Sequence, residues 1–184
     1  MLLDDLKAYC PCNAQEEQDK KTIIAFLEHY PDAFSRENKL GHMTASAWIV
    51  NKNRDKTLMV YHNLYDSWSW TGGHADGEED LLKVAIKEAR EETGAEVRAV
   101  SEEIYSLEVL TVDGHEKRGE FVSSHLHLNV TYLLEAEESA KLKVCPDENS
   151  GVSWFSFEEA LEKSSEPWFV ERIYNKLNMK LKEF

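Results

Sequence analysis

Between Gly72 and Val97, eight carboxylates (Asp76, Glu78, Glu79, Asp80, Glu88, Glu91, Glu92 and Glu96) stand against three bases, Lys83, Lys87 and Arg90. Three of the acids form E-x-x-E-E inside LLKVAIKEAREETG, a segment of helical period. At about 100° per residue, Glu91 and Glu92 fall roughly 60° to one side and 40° to the other of Glu88, so the three share a helix face. Leu82, Ala85, Ile86 and Ala89 form a separate stripe centred about 110° from Glu88, which predicts one packing side and one carboxylate side. Carboxylates at i, i+3 and i+4 repel one another unless something positive sits between them. A hard divalent cation answers that need. Mg²⁺ takes oxygen ligands, keeps waters and completes its shell with substrate phosphates, which is the setting of phosphoryl chemistry. Alone, such a cluster is more often a solvated acidic face.

The residues before the helix change that balance. At Gly72 and Gly73 a backbone without side chains lets a diphosphate or a metal approach and frees a carbonyl for coordination. Asp80 is the candidate helix cap, with Asp76 and Glu79 as an alternative capping box, and Gly94 ends the helix. The stretch GGHADGEEDLLKVAIKEAREETGA resembles the Nudix box, G-x5-E-x7-R-E-U-x-E-E-x-G-U with U aliphatic. Gly73, Glu79, Glu88, Glu91, Glu92 and Gly94 match at that spacing, and the resemblance extends over residues 42–163.

The resemblance implies an α/β/α sandwich and Mg²⁺- or Mn²⁺-dependent hydrolysis of a diphosphate bond in a nucleoside diphosphate linked to another moiety. By position it makes Glu88, Glu91 and Glu92 metal ligands, adds the Gly73 carbonyl, and places Glu79 behind them. The cation would neutralise the phosphates, acidify a water and aim it at phosphorus. The general base is expected to be Glu88 or, outside the box, Glu148 in the loop before the last strand, which could equally be a solvated charge.

Some positions depart from the pattern. The box arginine is Lys87, which keeps the charge but loses the planar fork that orients a carboxylate. Lys87 is expected to pair with Glu91 or Glu88. Ala89 and Ala95 replace larger aliphatics, and Thr71 stands where many members have proline. His125 and His127 face one side of an expected strand and, with His42, His62 and His74, raise the question of a metal. Pocket lining or hydrogen bonding is the preferred reading, with His127 a candidate substrate contact and zinc not expected. Trp68, which matches a tryptophan common in the family, and Trp70 precede the glycine pair. Either ring could stack a base, but core packing is the commoner fate.

These residues need elements to position them. The 184 residues suit one domain, and 42% apolar composition supplies a core. A helical extension is read over residues 1–40, with Asn13 capping a helix that Pro31 stops, and a catalytic domain over residues 41–184. TASAWIV and TLMVYH read as a hairpin around NKNRDK, and DSWSWTGGHADGEED as a loop. Val97–Val112 and His125–Leu134 read as strands joined by a flexible loop, DGHEKRGE. VSWFSF is a last strand, FEEALEK a short helix, and Pro167 opens a final helix with Val170, Ile173, Tyr174, Leu177 and Leu181 inward. The expectation is an α/β fold: a mixed sheet with helices on both faces, preceded by the helical segment.

A net charge of −14 opposes binding of long nucleic acid through its phosphates, so the expected partner is a small nucleotide-type diphosphate. No apolar run is long enough to span a bilayer, and the N-terminus lacks a signal-peptide layout, so the expected location is the cytoplasm. Cys10, Cys12 and Cys145 read as reduced structural thiols. Dimers are frequent in the family, and a homodimer through a terminal helix is expected. The alternative function is a non-catalytic nucleotide-binding sensor or structural module, although all box carboxylates are kept. The related isopentenyl-diphosphate isomerase needs a cysteine near the glycine loop, where residues 71–74 hold none.

Overall fold

In the computed structural model, which describes residues 1–117 and 119–183, every helix packs on a sheet organised around one strand. That strand, β1 (Gly41–Val50), is buried along its whole length. It runs parallel to β9 (His125–Ala136) over ten residue pairs, Gly41↔Leu126 to Val50↔Glu135. On its other edge it pairs antiparallel with β2 (Lys56–His62) only at Ile49↔Leu58 and Val50↔Thr57. The two strands then diverge. The wedge between them is filled by β3 (Ser67–Ser69) on β2 and β4 (Thr71–His74) on β1. The segment read as a loop from its glycines and acids therefore holds two strands, because the splayed edges of β1 and β2 offer unpaired backbone groups that must be satisfied.

The stretch read as strand over 97–112 is broken into β5 (Val97–Ala99) and β6 (Ser106–Val112), both antiparallel to β9. The expected loop at DGHEKRGE instead carries a two-stranded ribbon, β7 (His115–Lys117) with β8 (Glu120–Val122); residue 118 of that loop lies outside the described residues. Strand β10 (Asn149–Ser156) closes the sheet against β2, giving the order β10-β2-β1-β9-β5.

Alternation along β1 and β9 divides the core. Met43, Ala45, Ala47 and Ile49, with Leu128, Val130 and Leu134, pack under α1 (Leu2–Ala8), α2 (Ala14–His29) and α3 (Leu81–Thr93), which contribute Leu6, Ile23, Leu81, Val84, Ala85 and Ala89. Trp48, Val50 and Leu133 join a second cluster with Ala160 of α4 (Phe157–Lys163) and Ile173, Tyr174 and Leu177 of the C-terminal segment. That segment is helical as read, opening with Pro167 in α5 (Pro167–Phe169), then a π-helical stretch, Val170–Tyr174, and α6 (Asn175–Lys180). The expected α/β/α layering is therefore present. Asn13 caps α2 as read, its side chain accepting from the Glu16 amide at 2.9 Å. No helix among the described residues is long and apolar enough to cross a membrane.

Candidate active site

The helix α3 is fixed at both ends by its own sequence. Asp80 is the cap, accepting from the Lys83 amide at 3.1 Å. Asp76 is engaged elsewhere: the Arg36 guanidinium donates to its two oxygens at 2.6 and 2.5 Å. At the other end Gly94 adopts φ 68°, a left-handed conformation that costs glycine little, and donates to the Arg90 carbonyl at 2.8 Å.

The expected separation of packing and carboxylate sides does not hold. The residues α3 buries are Leu81, Val84, Ala85, Ala89, Glu92 and Thr93, while Leu82 and Ile86 are only half-buried. Taking Leu81 as zero, about 100° per residue puts Glu88 near 340° and Glu92 near 20°, in the middle of the buried arc. Glu91 alone points outward, its side chain 55% exposed against 14% for Glu88. The stripe Leu82, Ala85, Ile86 and Ala89 does pack on the core, but the inner face also takes in Glu92, because part of it meets glycine backbone rather than side chains.

That backbone is β4. Glu92 accepts from the Gly72 amide at 2.9 Å. A Cβ on Gly73 would lie 2.5 Å from Glu88 Cδ, and one on Gly72 2.4 Å from Ser46 Oγ. The missing side chains thus let Glu88 lie directly against Gly73 on one face of β4 and let the paired Ser46 of β1 crowd Gly72. Lys87 Nζ sits 3.0 Å from Glu88 and 3.3 Å from Glu91, so both expected pairings form.

Burial, followed by the charges of Glu148, Glu88 and Glu91, pushes Glu92 up to about 8 despite the Gly72 hydrogen bond. Burial also raises Glu88, with Lys87 opposing it. Glu148 is exposed in the loop before β10, and its charge reaches both. The neighbouring Asn149 went unnoticed in the sequence. It is fully buried and donates to the Glu92 backbone carbonyl at 2.9 Å, fastening that loop to α3.

Of the tryptophans, Trp70 is buried against Tyr174, whereas Trp68 is half-buried and packs edge-on against Tyr61 and Phe155. Four of the histidines converge: the ring centroids of His74, His125 and His127 lie 5.1, 5.0 and 5.0 Å from that of His42. His62 belongs elsewhere, its ring tilted against that of Tyr65. Burial, then the neighbouring histidines, drives the His127 pKa down to about 2, so that ring is neutral. A signal for this cluster was present in the alternation His42, Thr44, Ser46 on β1 and His125, His127, Asn129, Thr131 on β9, which marks one polar sheet face.

A NUDIX domain family model matches residues 41–177. The chain belongs to the Nudix family. It is 33% identical over 118 residues to the m7GpppN-mRNA hydrolase NUDT17 of Xenopus laevis, covering 61% of this chain and only 38% of that protein. It is 26% identical over 140 residues to the probable DHNTP pyrophosphohydrolase of Lactococcus lactis subsp. cremoris (strain MG1363), covering 74% of this chain and 79% of the relative. The fold is shared with the C. elegans Ap4A hydrolase binary complex (TM-score 0.56, 20% identity, 77% of this chain and 98% of that one). It is likewise shared with the E. coli dihydroneopterin triphosphate pyrophosphohydrolase (TM-score 0.56, 12% identity, 74% and 94%).

Proposed function

We propose that residues 41–184 form a hydrolase domain that cleaves a diphosphate bond in a nucleoside diphosphate linked to another moiety, with Mg²⁺ or Mn²⁺, in the cytoplasm. The observation that carries this reading is the pressing of Glu88 and Glu92 against Gly72–Gly73, with Glu92 held near pH 8 by burial and by three neighbouring carboxylates. Ionised carboxylates packed this closely repel one another and are costly to bury, and a hard cation among them relieves both effects. Glu88, Glu91, Glu92 and the Gly73 carbonyl, all oxygen donors, would hold it. When bound, a divalent cation supplies charge neutralisation for the phosphates and a more acidic water.

The chain's own groups do the rest. The Gly72 amide fixes Glu92, and Lys87 bridges Glu88 and Glu91. Glu88 takes the proton from the attacking water, with Glu148 as the other candidate base. The exposed Gly72 backbone admits the diphosphate, and Trp68 contacts the remainder of the substrate. The helices of residues 1–40 buttress the domain, and a homodimer is expected. The −14 charge favours a small nucleotide over long RNA.

The test is phosphate and pyrophosphate release from a panel containing Ap4A, dihydroneopterin triphosphate, a capped dinucleotide and nucleotide sugars, with Mg²⁺ or Mn²⁺ against EDTA. Metal-dependent turnover supports the hydrolase. Nucleotide binding without turnover across the panel replaces it with the sensor.

Two substitutions probe the positioning. Lys87→Ala is expected to lower kcat at least about tenfold by freeing both glutamates, and a variant as active as the parent removes that role. In Gly73→Ala the new Cβ must displace Glu88, so turnover should fall by about 10- to 100-fold with a melting temperature within a few degrees of the parent. Unchanged kcat would show that Glu88 is not needed where it sits.

A further inference from the structure

The histidine cluster lies on the sheet face opposite Glu88. A Cβ on Gly73 would meet Glu88, whereas Gly72 faces Ser46, and alternation along β1 puts Thr44 and His42 on the Ser46 side. In the parallel register His42 is directly opposite His127, and His125 follows on the same face of β9. One ring nitrogen from each of His42, His125 and His127 lies within 4.8 Å of the other two.

The hydrogen bonds determine which nitrogens are available. His42 Nδ1 meets the Asn38 carbonyl at 3.3 Å and His125 Nδ1 meets the Ser123 carbonyl at 2.9 Å. A carbonyl only accepts, so each Nδ1 carries a proton, which leaves Nε2 as the nitrogen each ring can offer to a metal. Backbone carbonyls on the far nitrogen are the usual support of a metal-bound imidazole. His125 Nε2 and His127 Nε2 are 3.3 Å apart. With metal–nitrogen bonds of about 2.0–2.1 Å, two ligands of a tetrahedral ion are separated by roughly 3.3–3.4 Å. A hydrogen bond between those two rings would also explain that distance. It leaves His42 Nε2, however, buried and without a hydrogen-bond partner in a residue only 4% exposed. A shared ion would engage all three rings once the group, now spread within 4.8 Å, draws in to the roughly 3.3–3.4 Å separation of tetrahedral ligands.

We propose that His42, His125 and His127 bind a first-row divalent transition-metal ion, Zn²⁺ foremost, at a site separate from the box carboxylates, leaving one coordination position open beside His74. Imidazoles select such ions, while Mg²⁺ prefers oxygen, so the two sites take different metals. The half-buried His125 and His127 give the ion its way in.

Co²⁺ titrated into the full chain in the presence of excess Mg²⁺ provides the test, read by the visible absorption of the ion. One equivalent with an intense tetrahedral spectrum, displaced by Zn²⁺ and unchanged in Glu92→Gln, is expected. His42→Asn and His127→Asn should each weaken it by about 10- to 100-fold. Absence of binding by the parent chain, a weak octahedral spectrum that Mg²⁺ or Glu92→Gln removes, or unchanged binding in folded histidine variants each overturns the site. Because the Mg²⁺ competition uses the unaltered chain, it decides the matter even where a variant fails to fold. Its outcome is also independent of whether the carboxylate site hydrolyses anything.

Discussion

Glu92→Gln is expected to cut turnover by about two to three orders of magnitude while making the cation-free protein more stable above neutral pH. Glutamine is nearly isosteric and keeps an oxygen for the Gly72 amide, so the change removes charge and little else. Loss of a ligand oxygen and its charge should lower kcat by about 10²- to 10³-fold, equivalent to roughly 3–4 kcal/mol. The stability effect has the opposite sign. The carboxyl is raised from 4.5 to about 8 on folding, so the native state binds the proton more tightly than the unfolded one. Wild-type stability therefore falls as pH rises from about 4.5 to about 8, at up to about 1.4 kcal/mol per pH unit. The melting temperature of Glu92→Gln in EDTA should exceed that of the parent at pH 8 by several degrees, and the difference should close by pH 4. Equal melting at both values would mean that the burial of Glu92 carries no electrostatic cost, and undiminished turnover would remove it from the site.

Lys176→Met is expected to cost about 3–5 kcal/mol of stability, because it strips the cation from a buried acid pair. Lys176 is 2% exposed, and its Nζ donates to Glu108 at 2.9 Å and to the Leu107 carbonyl at 3.1 Å, with Glu16 of α2 at 3.4 Å. Both glutamates are fully buried. Glu108 is otherwise satisfied by Ser106, Asn129 and Thr131, and Asn129 accepts from Thr44 and Ser46. The network thus joins the N-terminal and C-terminal helices to the strand that backs the glycine pair.

Burial opposes ionisation of Glu16, but Lys176, the Cys12 amide and Lys180 outweigh it and hold the carboxyl down to about 2. Burial likewise opposes charge on Lys176, while Glu108 and Glu16 raise it above its ordinary value. The Glu16 contribution is complete above about pH 4.5 and is lost as pH falls toward 2. Chemical denaturation should therefore show the gap between parent and Lys176→Met narrowing in acid. Glu108→Gln in the Lys176→Met background should recover part of the loss. A single variant within 1 kcal/mol of the parent, by the order of magnitude expected for exposed pairs, would mean the cluster is effectively solvated.

Elements whose signals are local can be read from the residues alone. Asn13, Asp80, Gly94 and Pro167 mark helix boundaries through bonds made within a few residues, and spacing alone brought Glu88, Glu91, Glu92 and Lys87 onto neighbouring turns. The tertiary structure decided which side of α3 faces inward. A helical wheel weighs side chains, and here part of the partner surface is the backbone of Gly72 and Gly73, so Glu92 is buried along with the apolar stripe and Glu88 lies against Gly73. Strands β3 and β4 were hidden for a related reason: they exist because β1 and β2 diverge and leave edges to fill. The histidines follow the same rule. Their alternation was visible on each strand, but only the parallel register of β1 with β9, set by long-range pairing, put His42 opposite His127.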